Sequence, residues 1–411
     1  MRRLKIIPAA ILAISISVFA QDRVRTGDEV LLQNDLGILK GKRVGLITNQ
    51  SGIMQNGTHI ADALSMNHDF SLVALFGPEH GIRGKASDGT AVPDSIDPRT
   101  GVHVYSLYGK NVKPTAEMLS GIDVLVYDLQ DVGVRFYTYI STLDLCMEAA
   151  AEHNIKFVVL DKPDMVRSDF IDGPVLDDSL KSFVGIQPLP SVYGMTPGEL
   201  ATMMNEEHLL KNGVKADLTV IKMQNYRHEM WYDQTGLKWI DPSPNLPDMQ
   251  SVEVYPGCVL LEATNVSEGR GTPHPFRWIG APFIDSEKLI GLLNARNLPG
   301  VRFDPIEFTP DSLPWAKDPK FVSRLCHGVD IVVTDRDIFR PVEMGVTLIW
   351  ALHELYPGEF KVRVSGFDRL SGDASIWIMI ESGKDPGSII SSWKNNLQKF
   401  ETERSKYQLY N

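Results

Sequence analysis

Residues 72–81 read Leu72-Val73-Ala74-Leu75-Phe76-Gly77-Pro78-Glu79-His80-Gly81, an apolar run that stops at glycine and proline. The run over 72–76 predicts a strand buried on both faces, because it is short, continuous and bounded by turn residues. The glycines and the proline predict a sharp turn after it. Glu79 and His80 are therefore expected on a stiff turn at the carboxyl end of a strand. In open α/β sheets, ligands bind at that edge.

Similar apolar runs recur along the first half of the chain and alternate with helical patterns. We expect strands at 43–49, 123–128, 156–161 and 218–223, and helices at 58–67, 139–153 and 196–211. Continuous Val/Ile/Leu strands that alternate with helices indicate an α/β fold with a mostly parallel sheet, covered on both faces.

The composition changes at residues 241–248, Asp-Pro-Ser-Pro-Asn-Leu-Pro-Asp, which indicates a connector between domains. Beyond it we expect strands at 258–263, 330–334 and 360–364, and helices at 286–294, 344–355 and 387–400. The chain is thus predicted to form a larger α/β domain over residues 21–250 and a smaller mixed α+β domain over 251–411.

The first twenty residues predict a secretory signal peptide. Arg2, Arg3 and Lys5 precede an apolar run over 6–19, and small residues around Ala20 mark the cleavage site. The alternative is an N-terminal membrane anchor, but the run is shorter than the ~20 residues of a spanning helix. We expect an exported protein, periplasmic or secreted, with no membrane span.

Charge and motifs narrow the possible partners. The 411 residues include 41 Lys or Arg and 52 Asp or Glu, a net charge of −11 that argues against nucleic acid. The three cysteines are far apart and match no zinc spacing. No GxGxxG or P-loop follows a strand, and no GxSxG elbow occurs. The sequence therefore predicts neither a nucleotide cofactor nor a metal, and it disfavours an α/β-hydrolase.

Polar residues end four of the predicted strands, namely Asn49, Glu79, Asp128 and Asp161. The ends of parallel strands share one edge of the sheet, so these side chains are expected to converge there. Glycoside cleavage uses two converging carboxyl groups, one of which protonates the leaving oxygen. Glu79 is our candidate for that acid, and the alternative is a turn residue that accepts local N–H groups.

Two further clusters offer polar groups. Asp128 and Asp131 lie in the segment 127–133 and either act at the site or cap the next helix, while Arg135, Tyr137 and Tyr139 follow them. Tyrosines contact sugars at clefts but are also common in cores. The second cluster covers residues 262–272, where two glycines flank Arg270. Its guanidinium would bind a carboxylate in a bidentate manner, or pair with Glu262 or Glu268.

Taken in order, these motifs make the chain resemble the exo-β-N-acetylmuramidase family. The matching segments are 45–52 (Gly-Leu-Ile-Thr-Asn-Gln-Ser-Gly), 76–81, 127–137, 173–177 (Gly-Pro-Val-Leu-Asp), 242–247 and 264–272. The resemblance covers nearly all of the chain beyond the signal peptide. It implies a Rossmann-like N-terminal domain, a smaller C-terminal domain and a site in the cleft between them. It also implies release of N-acetylmuramic acid from the non-reducing ends of peptidoglycan fragments.

The resemblance makes Glu79 the catalytic acid and leaves its partner open between Asp128, Glu268 and the acetamide of the substrate. The residues predicted to bind substrate are Asn49, His80, Asp131, Arg135, Tyr137, Asn265 and Arg270. Arg270 or Arg135 would hold the lactyl carboxylate of muramic acid.

The chain departs from the family pattern at two places. Asp164-Met165 stands where the family usually has Asn-Pro, and Tyr193 where it usually has His. Two alternatives remain: a non-catalytic periplasmic binding protein for sugars or muropeptides, and a hexosaminidase of different sugar specificity.

Overall fold

The structure is a computed structural model and describes residues 23–79, 81–84 and 93–411. The predicted signal peptide and His80 lie outside these residues. The strands are β1 Arg43–Thr48, β2 Ser71–Gly77, β3 Ser95–Ile96, β4 His103–Ser106, β5 Val124–Asp128, β6 Lys156–Leu160, β7 Asp172–Val175, β8 Pro190–Val192, β9 Leu218–Ile221, β10 Trp278–Ala281, β11 Val301–Phe308 and β12 Cys326–Val333.

The helices alternate with these strands in the first half and dominate the end of the chain. They are α1 Gly27–Val30, α2 Ile60–Ser65, α3 Ala116–Leu119, α4 Tyr139–Glu152, α5 Pro197–Glu206, α6 Met249–Cys258, α7 Ser286–Asn294, α8 Pro341–Leu355, α9 Val364–Ser371, α10 Ser375–Glu381 and α11 Pro386–Arg404. A 3₁₀ turn, Val259–Ala263, continues α6.

The central sheet has the strand order β3-β4-β2-β1-β5-β6-β9. Its strands run parallel, apart from the edge strand β3, which is antiparallel to β4. Thr48 pairs with Asp128, and Ile47 pairs with Phe76, so β1, β2 and β5 end together. The predicted α/β class and the shared edge of strand ends are confirmed.

Both faces of this sheet are covered, which explains the continuous apolar strands. Val124 and Val126 of β5 pack into one hydrophobic cluster, whereas Leu125 and Tyr127 pack into the other. Successive side chains of a strand point to opposite faces, so a strand between two apolar layers needs apolar residues at every position.

A smaller antiparallel sheet, ordered β10-β12-β11, lies in the second half of the chain. Helices α6 and α8 cross where Gly257 meets Gly345, and a Cβ on Gly257 would lie 1.9 Å from the carbonyl oxygen of Pro341. Residues on both sides of position 250 share one hydrophobic cluster. The division of the chain near residue 250 therefore stays a prediction.

Two predicted strands of the second half are wrong. Residues 258–263 are helical, since Asp248 caps α6 by accepting a hydrogen bond from the Ser251 amide at 2.8 Å and the helix runs on into the 3₁₀ turn. A short, fully buried apolar run does not distinguish a strand from a helix. Residues 360–364 make only a single bridge, Thr264 to Val362, before α9 begins.

The three cysteines are ordinary residues of the apolar core. Cys146, Cys258 and Cys326 are free thiols and buried. Among the residues that the structure describes, no helix has the length and apolarity to cross a membrane.

Candidate active site

The turn after β2 carries Glu79. The Gly81 amide donates to the carbonyl oxygen of Pro78 at 3.0 Å and closes the turn, and Gly81 has a φ of 72°, which favours glycine. The half-buried Glu79 accepts a hydrogen bond on Oε2 from the Thr138 hydroxyl at 3.0 Å. Thr138 directly precedes α4, so the carboxylate is held between a strand end and the start of a helix.

The Pro-rich connector predicted at residues 241–248 crosses this edge of the sheet. Tyr137 donates from its hydroxyl to the carbonyl oxygen of Pro242 at 2.7 Å, and Tyr139 does so at 3.3 Å. Gln50 donates to the same oxygen at 3.2 Å, and Asn49 donates to the Tyr139 hydroxyl at 2.7 Å. Asn49 and Tyr137, both predicted to bind substrate, are therefore buried anchors of the connector.

A cavity of about 640 Å³ opens beside these anchors. Its described lining comprises Gln50, Ile53, Gly84, Lys238, Trp239, Ile240, Asp241, Pro244, Pro247, Thr272, Pro273, Pro275 and Trp315. Three parts of the chain therefore meet here: the sheet edge, the connector and the loops of the second half. Such a volume suits a small saccharide, and Trp239 and Trp315 are amphipathic rings of the kind that pack on sugars.

Asp241 is the one carboxylate in the described lining of this cavity. It is exposed, and it accepts a hydrogen bond from the indole N–H of Trp239 at 2.9 Å. Although the residue as a whole is exposed, partial desolvation of its carboxyl group raises the pKa of Asp241, and the hydrogen bond from Trp239 opposes this shift. Its sequence context, a Pro-rich segment, predicts only the start of a connector.

Asp128 occupies a different environment, since its side chain is fully buried at the end of β5. Its Oδ1 lies 3.0 Å from the Lys162 ammonium, and Thr48 donates to Oδ2 at 3.2 Å. Burial raises the pKa of Asp128 to about 6, although the charge of Lys162 opposes this shift. A group enclosed in this way does not contact a substrate in the cavity, so the structure gives Asp128 an internal role instead of the expected catalytic one.

Asp131 is also fully buried and shapes the loop after β5. It accepts hydrogen bonds from the Gly133 amide and from the Tyr193 hydroxyl, each at 2.8 Å. Burial raises the pKa of Asp131 to about 6. Neither Asp128 nor Asp131 caps α4, which begins well beyond them at Tyr139.

Asp164 lies beside the same loop. It is buried, accepts a hydrogen bond from the Ser168 hydroxyl at 3.0 Å, and has a pKa raised well above its usual value by burial and by the charge of Asp131. The other departure from the family pattern, Tyr193, donates to Asp131. Both departures therefore meet at one buried carboxylate, away from the described lining of the cavity.

Arg135 binds main-chain oxygens instead of an anion. Its fully buried guanidinium donates to the carbonyl oxygens of Arg369, Leu370 and Ser371, at 3.3, 2.9 and 3.0 Å. These carbonyls end α9, so Arg135 ties the loop after β5 to the C-terminal helices. This position leaves no surface for a substrate carboxylate, which corrects the expectation for Arg135.

The loop 264–272 holds the remaining predicted residues. Asn265 donates to the carbonyl oxygen of Glu359 and accepts from the Lys361 amide, each at 2.8 Å. Glu268 is buried and pairs with the Lys320 ammonium at 2.8 Å.

Arg270 pairs with the carboxylate of Glu262 at 2.6 Å and with that of Glu268 at 3.4 Å. Arg270 therefore pairs with carboxylates of the protein itself, which is the predicted alternative to binding a substrate carboxylate. The loop then continues into Thr272, Pro273 and Pro275, which line the cavity.

The residues of the cavity wall are not among the predicted site residues. Lys238, Trp239 and Asp241 precede the prolines directly, and a tryptophan beside a proline-rich turn was the available signal. Trp315 comes from a distant loop, so only the fold reveals it. In the part of the chain that the structure describes, no cluster of three or more His, Cys, Asp or Glu side chains is arranged to hold a metal ion.

Glu79 is not part of the described lining of the cavity, but Gly84, five residues later, is. A glutamate at the edge of a sheet that borders a saccharide-sized cavity lined by tryptophans is typical of carbohydrate-active hydrolases. The comparisons with known proteins agree with this class. Residues 44–250 match the family model of exo-beta-N-acetylmuramidase NamZ, N-terminal, and residues 253–410 match its C-terminal counterpart. The chain belongs to the exo-β-N-acetylmuramidase NamZ family.

Relatives cover almost the whole chain. It is 48% identical over 389 residues to the peptidoglycan beta-N-acetylmuramidase NamZ of Bacillus subtilis (strain 168). This match covers 94% of this chain and 92% of that protein. Two crystal structures of DUF1343 family proteins from Bacteroides fragilis NCTC 9343 share the fold. One has 38% identity and a TM-score of 0.87, the other 37% and 0.79, and each match covers 95% of this chain and 99% of the other.

Proposed function

We propose that this protein is an exo-acting glycosidase that releases N-acetylmuramic acid from the non-reducing ends of peptidoglycan fragments. The observation that carries the proposal is Glu79, held by the Thr138 hydroxyl at the edge of the sheet where Gln50 and Gly84 line a cavity with two tryptophans. Its family membership and the name of its Bacillus subtilis relative support the choice of sugar.

In the proposed mechanism, Glu79 is the general acid. Its proton passes to the glycosidic oxygen as the bond between that oxygen and the anomeric carbon breaks, so the aglycone leaves as a neutral alcohol. The resulting carboxylate then takes a proton from the water that attacks the anomeric carbon. Thr138 fixes the position of the carboxylate through both steps.

The oxocarbenium-like transition state needs a second group. Asp128 and Glu268 are buried and paired with lysines, so neither suits this role. We propose Asp241, which lines the cavity, as the carboxylate that stabilises the developing positive charge. The acetamide of the substrate is the alternative, since some glycosidases use it as an internal nucleophile.

The assay for this function uses a chromogenic β-N-acetylmuramide and the matching β-N-acetylglucosaminide with the purified protein. We expect turnover with a higher kcat/KM on the muramide, and release of free N-acetylmuramic acid from a MurNAc-GlcNAc disaccharide by mass spectrometry. Binding without turnover would instead identify a binding protein, and a preference for the glucosaminide would identify a different hexosaminidase.

We also propose that the protein is exported. The support is the sequence of residues 1–20, with its positive start, apolar run and small residues near Ala20. N-terminal sequencing of the protein from its native host should begin at Gln21, and an intact N-terminus would contradict export by cleavage.

A further inference from the structure

Lys238 is an exposed cation in the wall of the cavity. The backbone beneath it is fixed, because the hydroxyl of Tyr232 donates to the carbonyl oxygen of Lys238 at 3.2 Å. Among residues 23–79, 81–84 and 93–411, no carboxylate pairs with its ammonium group. The charge is therefore available to a ligand.

Other cations close to the predicted site have partners inside the protein. Lys162 pairs with Asp128, Lys320 with Glu268, and Arg135 binds carbonyl oxygens. Each of these positive charges offsets a buried group and contributes to the fold. Lys238 differs from them, since it lies at the surface of the cavity and offsets no buried group.

The net charge of the protein determines where an anionic ligand is favoured in the cavity. The chain has a net charge of −11, so its average field repels an anionic ligand. The described lining of the cavity holds one carboxylate, Asp241, and one cation, Lys238. An anionic group that enters the cavity therefore gains by lying on the side of Lys238 and away from Asp241.

We propose that Lys238 binds the lactyl carboxylate of the substrate and thereby selects muramic acid over glucosamine. This inference rests on the proposed function, and it puts Lys238 in place of the expected Arg270 or Arg135 as the ligand of that carboxylate. Arg270 already pairs with Glu262 and Glu268, and Arg135 binds carbonyl oxygens. N-Acetylglucosamine has a neutral hydroxyl where muramic acid carries the lactyl ether, so an ammonium group distinguishes the two sugars by charge. Lysine suits a flexible acidic substituent, because its ammonium is a point charge on a mobile stem.

The test compares wild type with Lys238→Gln on three substrates: the chromogenic muramide, its lactyl methyl ester, and the glucosaminide. A hydrogen bond between charged groups contributes enough that its loss should lower kcat/KM on the muramide by about 10- to 100-fold. We expect the loss to appear mainly in KM. The preference of the wild type for the free acid over the methyl ester should fall by a similar factor in the variant.

The matched control is Lys394→Gln, which removes an exposed lysine of α11 that no described residue pairs with. It should leave the ratio of muramide to ester turnover as in wild type. If wild type hydrolyses the muramide and Lys238→Gln keeps both substrate ratios, the role of Lys238 is refuted while the proposed function stands. If wild type hydrolyses none of the three substrates, the proposed function itself fails.

Discussion

The carboxyl edge of the central sheet has two regions with the same sequence signature and opposite environments. On one side, Glu79 is half-buried on its turn, and Asp241 of the connector is exposed in the cavity wall. On the other side, Asp128, Asp131 and Asp161 are fully buried in a network of internal partners. An acidic residue at a strand end thus predicts the edge of the sheet, but not whether the side chain reaches a ligand.

We infer that this difference separates the residues that act on the substrate from the residues that stabilise the edge of the sheet. A buried carboxylate needs a cation or several donors, because its desolvation is otherwise costly. Asp128 has Lys162, and Asp161 has donors on Thr196, Gly198 and Tyr410. The following substitutions test this division between acting and supporting residues, from the largest expected effect to the smallest.

Lys162→Met should have the largest effect, which is a loss of folding stability. It removes the ammonium 3.0 Å from Asp128 and leaves that carboxylate buried without its charge partner. Breaking a buried pair from one side costs about 3–5 kcal/mol of unfolding free energy, which urea denaturation would measure. Lys156→Met is the matched control, since its partner Asp217 is exposed and the pair should contribute less than about 1 kcal/mol. Equal stabilities for the two variants would contradict a structural role for the buried pair.

Asp241→Asn should lower activity and leave stability unchanged. If its carboxylate stabilises the developing charge, neutralising it should reduce kcat by about 10²-fold on the muramide. Asp178→Asn, at an exposed position in a 3₁₀ turn, serves as the control and should behave as wild type. Activity within twofold of wild type would remove Asp241 from the mechanism and leave the substrate acetamide as the second group.

Asp164→Asn should change the pH dependence of stability. Burial raises the pKa of Asp164 well above its usual value, so the native state binds a proton that the unfolded state has released. Stability that depends on this proton is complete below the usual aspartate pKa and is lost as the pH rises towards the raised folded value, by about 1.4 kcal/mol per pH unit.

Asparagine does not titrate and keeps a donor beside Asp131, so the Asp164→Asn variant should exceed wild type in stability at neutral pH. Urea unfolding of both proteins between pH 4 and pH 8 would show the two curves diverging as the pH rises. Parallel curves across this range would show that Asp164 does not hold a proton in the native state.

The same contrast defines what the sequence can predict. Strand ends and helices such as α7, expected at 286–294 and found at Ser286–Asn294, follow from local patterns of apolar and turn residues. The run 258–263 was predicted to be a strand because a fully buried segment has no polar face to reveal its period.

How deeply a side chain at a strand end is buried can be determined only from the tertiary fold. Nothing local separates Glu79 from Asp128, since each follows an apolar strand. The cavity wall also needs the tertiary fold. Trp239 stands beside a proline-rich turn, but nothing local predicts that Trp315, from a distant loop, lines the same cavity.

We propose that Glu79 supplies the acid and that Asp128 supports the fold. The most direct measurement is kcat/KM of Glu79→Gln and Asp128→Asn in one assay, on muramides with a poor and a good leaving group. Glu79→Gln should lose about 10²- to 10⁴-fold with the poor leaving group and far less with the good one, which needs no proton. Folded Asp128→Asn should keep most of its activity. Full activity of Glu79→Gln on both substrates, with loss of activity in folded Asp128→Asn, would contradict the account.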